Sequence, residues 1–315
     1  MKFTIVKSFN TISKKFSFDD STGKLIKSHG GNLSRAKFAT ASDFSISDLK
    51  DYIEDKSCDD KTILIPGTSE YDNGMIMTRS LMKKHENEDI DVHKVTRTKK
   101  DFAYRGGEGF LLLDYDPSDD YELNDGEALS KDELLNILYE VIPELKDAPH
   151  MWKTSSSSCI ENTATDDNLV GINGQHIFVH VDDNTQIERV IDIFYKRLWL
   201  AGHGYIFVDK TGGMHARTII DKVVNSPERE IFLKADCMFP AWQNVEYDVF
   251  NEDESPLKMS DIKDLDMNDE GRYEQLVNNA RDKRAGLASS IRDLYVKKNA
   301  DKLGISHSKL DNCIV

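Results

Sequence analysis

Apolar and polar residues alternate over residues 174–181, GQHIFVHV. That period of two predicts a strand with His176, Phe178 and His180 on one face and Ile177, Val179 and Val181 on the other. Residues 110–117, FLLLDYDP, are patterned differently: four apolar residues run straight into two aspartates one residue apart. This is how a buried strand reads when it ends where negative charge is needed. Alternation puts Phe110, Leu112, Asp114 and Asp116 on one face, so the two carboxylates point the same way. Pro117 has no N–H to donate and stops the ladder there. Shorter apolar runs at 62–66 (TILIP), from 151 (MWKT) and at 205–208 (YIFV) predict further strands, and residues 1–20 supply one or two more.

Helical spacing appears between these strands. Residues 45–53, SISDLKDYI, predict a helix with Ser47 as N-cap and Leu49 and Ile53 facing inward. Ser130 and Glu133 have the spacing of a capping box ahead of the apolar face Leu134, Leu135, Leu138 and Val141. Thr185 and Glu188 repeat that spacing ahead of Ile187, Val190, Ile191, Phe194 and Leu198, and Gly202 and Gly204 end the helix. From Glu270 the chain is charge-rich and without proline, a helical tail. STGKL at 21–25 and SHGGN around Gly30 read as turns. The serine run at 155–158 leads into a polar surface loop and reads either as a linker or as a phosphate-facing loop. Mixed strands and capped helices place the chain in the α/β class, in the sense of α+β. The expected divisions are an N-terminal αβ preamble over 1–90, a core over 91–250, and an acidic linker with the helical tail over 251–315.

Charge narrows the classes of partner. A formal net charge of −15 argues against coating nucleic acid by bulk attraction. Much of the acid is concentrated at 118–133 and 251–270, which leaves room for basic surfaces elsewhere. One is residues 93–104, HKVTRTKKDFAY, where Lys94, Arg97, Lys99 and Lys100 either meet phosphates or form a solvated loop. No apolar run approaches the length of a membrane span, and the N-terminus lacks the apolar core of a secretory signal, so a soluble cytoplasmic protein without membrane contact is expected. Cys58, Cys159, Cys237 and Cys313 lie far apart with no CxxC pair, which suggests neither a zinc ribbon nor a disulfide framework.

The candidate chemistry starts from the aspartates. Two carboxylates held side by side repel each other unless a cation sits between them, and hard divalent cations take oxygen ligands of this kind. The plainer alternative is a strand end running into an acidic loop. Asp221 poses the same question, because it sits within the apolar run Ile219, Ile220, Val223, Val224, flanked by Arg217 and Arg229. A charge there is costly unless paired or metal-bound, so an ion pair with Arg217 and a metal are the two readings.

Three separated segments thus offer a carboxylate pair, a histidine and a third carboxylate. In order, spacing and strand context, LLLDYD at 111–116, GQH at 174–176 and IDKVV at 220–224 resemble the motifs of the archaeo-eukaryotic primase superfamily. Within it they are most similar to the primase-polymerases of phages, plasmids and integrated elements. The likeness extends more weakly to TRTKKDF, to the serine run and to RTIIDKVVNSPER, covering roughly residues 90–235. It implies a template-directed nucleotidyl transferase that makes and extends primers on single-stranded DNA during replication of such an element. Asp114, Asp116 and Asp221 would hold two Mg²⁺ or Mn²⁺ ions about 4 Å apart, one activating the primer 3′-hydroxyl and one steadying the leaving pyrophosphate. His176 would hydrogen-bond the triphosphate of the incoming nucleotide. Arg217, then Arg97, with Lys210 and Arg229, would meet triphosphate or template phosphates. The implied fold is an N-terminal αβ unit on a palm sheet like an RNA-recognition motif. The implied partners are a single-stranded template, nucleoside triphosphates and a replicative helicase in cis or in trans, in the host cytoplasm.

Rival readings share parts of this pattern. A two-metal nuclease or a nucleotidyl cyclase also uses paired aspartates on a strand, and elongation versus cleavage separates them. A non-catalytic replication-initiation or single-strand-binding module would keep the acids as structure and interleave aromatic residues with a basic groove, of which Phe102, Tyr104 and Arg105 are a small sample.

Overall fold

Strand Phe3–Ser8 pairs with Arg35–Ala41 on one side and Thr62–Ile65 on the other, and three further strands complete a six-stranded sheet. In this computed structural model, which describes residues 1–19, 21–55, 59–84, 92–121, 127–304 and 306, the sheet belongs to the first of two units. That unit comprises Met1–Pro117, Ala128–Asp192 and Asp221–Lys263. Both faces of the sheet are covered. Phe3, Ala41 and Leu64 enter one apolar cluster, and Val6, Ala36, Phe38, Ile63 and Ile65 enter another. The unbroken apolar run 63–65 follows from that, since a strand buried on both sides has no polar face.

The first cluster is shared with a second, four-stranded antiparallel sheet in the order Tyr247–Phe250, His150–Thr154, Gln175–Val181, Gly109–Tyr115. Leu112, Phe178 and Met151 lie in one rung of this sheet and meet Phe3, Leu49, Ile53 and Leu64. The N-terminal αβ segment therefore packs on the sheet that carries both predicted motif strands. On the other face, fully buried Gln175 donates to the Leu129 carbonyl at 2.6 Å and accepts from the Trp152 indole at 2.7 Å. The Leu129 N–H in turn donates to the Tyr115 hydroxyl at 2.8 Å. A buried amide with both ends satisfied fixes the register of these strands.

Two helix starts differ from expectation. Helix Ile46–Glu54 is capped by Ser45, not Ser47. Asp48, three residues after Ser45, accepts from the Ser45 N–H at 2.8 Å, whereas Lys50, three residues after Ser47, has no acceptor to offer. Helix Ile187–Leu200 follows a single 3₁₀ turn, Asn184–Gln186, capped by Asp183 rather than opened by a Thr185–Glu188 box. The Thr185 hydroxyl is already donating to Asp183 at 2.7 Å, and Glu188 pairs with Lys99 at 2.6 Å. Helix Lys131–Val141 does carry the Ser130–Glu133 box.

The second unit, Ser118–Glu127, Ile193–Ile220 and the chain from Asp264 onward, holds the hairpin Gly204–Val208 with Met214–Thr218 and the 37-residue helix Met267–Leu303. Tyr195, Trp199, Ile206 and Val277 form its core. Among the described residues no helix is long and apolar enough to cross a membrane. Cys159 and Cys237 are free thiols, and Cys58 and Cys313 lie outside the described residues.

Candidate functional site

The four-stranded sheet turns from apolar to polar within one rung. Leu112, Phe178, Met151 and Val249 line up across it, and the next rung on the same face is Asp114, His176, Lys153 and Tyr247. One rung further, Asp116 comes beside Gly174 and Ser155, with the Ser155 N–H donating to the Gly174 carbonyl at 2.8 Å. The period of two read from the sequence is thus what sets both aspartates on the face of His176.

The glycine leaves a gap that the site uses. A Cβ at Gly174 would lie 2.6 Å from Ser155 Oγ and 2.7 Å from Asp116 Oδ1. His176 Nε2 lies 3.1 Å from Asp114 Oδ1, while its Nδ1 is buried without a partner among the described residues. An orphaned buried ring nitrogen is costly and marks a place where function or a further ligand is to be sought. Lys153 is fully buried, and its ammonium donates to the carbonyls of Thr154 at 2.6 Å and Leu233 at 3.2 Å.

Asp221 reaches this rung from a different segment. The strand Gly109–Tyr115 is the sheet edge, and the chain at 221–225 occupies that edge in place of a further strand. The Asp221 N–H donates to the Asp114 carbonyl at 2.9 Å. The Asn225 amide donates to the Leu112 carbonyl at 2.7 Å and accepts from the Leu112 N–H at 3.0 Å. Asp221 also caps the 3₁₀ turn Lys222–Asn225, accepting from the Val223 N–H at 2.9 Å. Because Asn225 is 2% exposed, Asn225→Ala leaves two buried backbone groups without partners, and we expect denaturant unfolding to show a loss of about 3 kcal/mol.

The charges interact. Burial, and then the Asp114 charge, push the Asp116 carboxyl above the usual carboxylate range, with Asp221 adding to the shift and Lys14 and His176 opposing it. Burial lowers the Lys14 ammonium and Lys27 adds to that, while Asp116 and, less, Asp114 draw it back up. A cavity of about 90 Å³ is lined by Lys14, Asp114, Asp116, Ser155, Ser156 and His176, among others. A larger one of about 610 Å³ lies around Trp242, Tyr247 and Lys234. Size alone favours the second, but the convergence of carboxylates, histidine, hydroxyls and an ammonium occurs in the first. Its volume suits ions and a phosphoryl group and is well short of the roughly 300 Å³ or more typical of whole-ligand pockets.

The other predicted residues are placed as follows. Arg97 is engaged by Glu230 at 2.7 Å and by the Glu228 carbonyl at 3.0 Å, and Arg229 is exposed on the turn after Ser226. Lys210 and Arg217 belong to the hairpin region of the second unit. His180, two rungs from His176 and beyond the apolar row, pairs with Glu108 at 2.9 Å, a structural role. Serines 155–158 are buried, with Ser158 Oγ donating to the Gly174 carbonyl at 2.7 Å, so the run is a packed turn rather than a linker. Sequence reasoning missed Lys14, Lys153 and Asn225. Lys14 carries no local signal, because nothing near it in the chain resembles a site.

The donor chemistry of Asp114, Asp116 and Asp221 suits a hard divalent cation, and the Asp116 carboxyl is raised first by burial and then by the neighbouring Asp114 charge. Among the described residues, no three His, Cys, Asp or Glu side chains already converge as a metal cage. No protein-family model matches the chain, and no curated protein and no solved structure matches it.

Proposed function

We propose that this protein is a template-directed nucleotidyl transferase of the primase-polymerase kind, working on single-stranded DNA with two Mg²⁺ or Mn²⁺ ions. The observation that carries this reading is the pair of adjacent rungs that aligns Asp114, Asp116 and His176 on one sheet face, with Asp221 bonded through its own N–H to Asp114. When bound, the metal would activate the attacking hydroxyl and offset charge on the departing pyrophosphate. Asp114, Asp116 and Asp221 are the residues that would hold it. His176, oriented by Asp114, would present its ring to a phosphate oxygen. Gly174 leaves the space in which Asp116 turns toward the cleft.

The palm assignment belongs to the same proposal. Strand, helix, strand, strand, helix, strand is the chain order of a split βαβ sheet, and the third strand lies between the first two here as there. The last strand, Tyr247–Phe250, joins beside His150–Thr154 and not beside Gly109–Tyr115, where the split βαβ order would put it, and residues 221–225 take that edge.

The test is incorporation of labelled nucleotides on a single-stranded template, with and without an annealed primer, in Mg²⁺ and in Mn²⁺. Metal-dependent products that vanish in Asp114→Ala and Asp116→Ala support the proposal, and products without primer add priming. Shortening of the template instead points to a nuclease. No product in any condition, with unchanged single-strand binding in both variants, replaces catalysis with a binding module.

A further inference from the structure

Lys14 enters the cleft from outside the sheet. Among the described residues lining the 90 Å³ cavity it is the one lysine or arginine, and it shares that space with Asp114, Asp116, Ser155 and Ser156. Its backbone is held before the side chain extends: the Lys14 carbonyl accepts from the Asp236 N–H at 2.9 Å, and the Ser13 hydroxyl donates to the Lys234 carbonyl. Gly30 lies so close that a Cβ there would collide with the Ser13 carbonyl oxygen. The ammonium donates to Ser157 Oγ at 3.1 Å and stands within electrostatic reach of Asp116 and Asp114. Of the nearby cations, Lys153 donates to the Thr154 and Leu233 carbonyls, Arg97 is engaged by Glu230 at 2.7 Å, and Lys27 repels the Lys14 ammonium.

An ammonium beside two carboxylates relieves their repulsion and, by the same Coulomb term, opposes the arrival of another cation. Its other neighbours are serine hydroxyls, which can donate to an anion as the ammonium does. We propose that Lys14 is a tethered counter-cation with two stations. At the first its charge offsets Asp114 and Asp116 across the cavity and competes with divalent metal for them; at the second, the serine side where its ammonium already donates to Ser157 Oγ, it takes a phosphate oxygen of a polyphosphate. This rests on the reading of the carboxylates as metal ligands.

The test uses the full chain as wild type, Lys14→Met and Lys14→Arg. The Met variant keeps the apolar stem and leaves no charge behind, and the Arg variant restores the charge. Mn²⁺ affinity is read from the resonance signal of the free ion, and in separate samples at saturating Mn²⁺ the retention of labelled inorganic tripolyphosphate is read by equilibrium dialysis. We expect Lys14→Met to bind Mn²⁺ about tenfold more tightly than wild type, to retain tripolyphosphate about tenfold less well, and Lys14→Arg to return both toward wild type. Equal or weaker Mn²⁺ binding by Lys14→Met overturns the competition. Unchanged tripolyphosphate retention overturns the second station. Mn²⁺ binding by none of the three proteins overturns the metal reading itself and this inference with it, an outcome distinct from equal binding by all.

Discussion

Asp116→Asn is expected to lose metal-dependent incorporation by about 10³-fold or more and, without metal, to melt a few degrees higher than wild type at pH 7. The two effects share a cause. Burial, then Asp114, with Asp221 adding, holds the Asp116 carboxyl above its ordinary range against the pull of Lys14 and His176. A carboxyl raised by folding contributes stability that is present below its unfolded value and lost as the pH rises through the folded one. At neutral pH, above the ordinary carboxylate range, the wild type has less of that contribution than in acid. Asparagine never carries the charge, so its advantage appears at pH 7 and closes as both proteins are brought below the ordinary carboxylate range. Lys14 keeps Ser157 and the field of Asp114 in the variant, which limits the opposing loss. Calorimetric scans in chelator at several pH values check this. A variant that melts lower at pH 7 would show that the Asp116 carboxylate stabilises the metal-free fold and would remove the electrostatic argument for a metal beside it.

Gly174→Ala is expected to separate the site from the fold. The added methyl meets Ser155 Oγ at 2.6 Å, Asp116 Oδ1 at 2.7 Å and Ser155 Cβ at 3.1 Å, and of these the Asp116 carboxylate, at the end of its side chain, gives way most readily. Alanine also loses less backbone freedom on folding than glycine, a gain of about 0.5–1 kcal/mol that offsets part of the crowding. Melting should therefore change little, while incorporation falls by about 10²-fold as Asp116 is turned from its position, in keeping with the cost of small misplacements at reacting centres. Gly171→Ala is the control, because its Cβ would meet nothing closer than 3.9 Å. Loss of activity in both variants, or a large drop in melting temperature for Gly174→Ala alone, would sink the claim that this glycine serves the site.

The parts of this arrangement that follow from local periodicity are legible in the sequence. Alternation in FLLLDYDP and GQHIFVHV determines which side chains share a face, and the Ser130–Glu133 spacing marks a helix start, because each depends on neighbours a few residues apart. The helix start at Ser45 lies two residues from the expected one because Ser45 and Ser47 are alike until the partner three positions on is weighed. What the sequence does not disclose is long-range. Lys14 is brought to Ser157 across 143 residues and the Asn225 amide to Leu112 across 113, and neither side chain differs chemically from others on the surface. The buried serines are equally opaque, since a polar run gives no sign that its hydroxyls will close on one another and on the Gly174 carbonyl.

The strand Gly109–Tyr115 has a consequence for how this gene can vary. Its side chains are sorted by parity, with Leu112 and Asp114 on one face and Leu111, Leu113 and Tyr115 on the other, and it is anchored in register to residues 175–181. Exchange of one apolar residue for another alters packing by degrees. Removal of a single codon upstream of Asp114 with the register kept would exchange odd for even, bringing Leu113 and Tyr115 to the cleft and turning both carboxylates into apolar packing. In a library of one-codon deletions this segment should therefore be among the least forgiving of the chain, even at positions where substitution is tolerated.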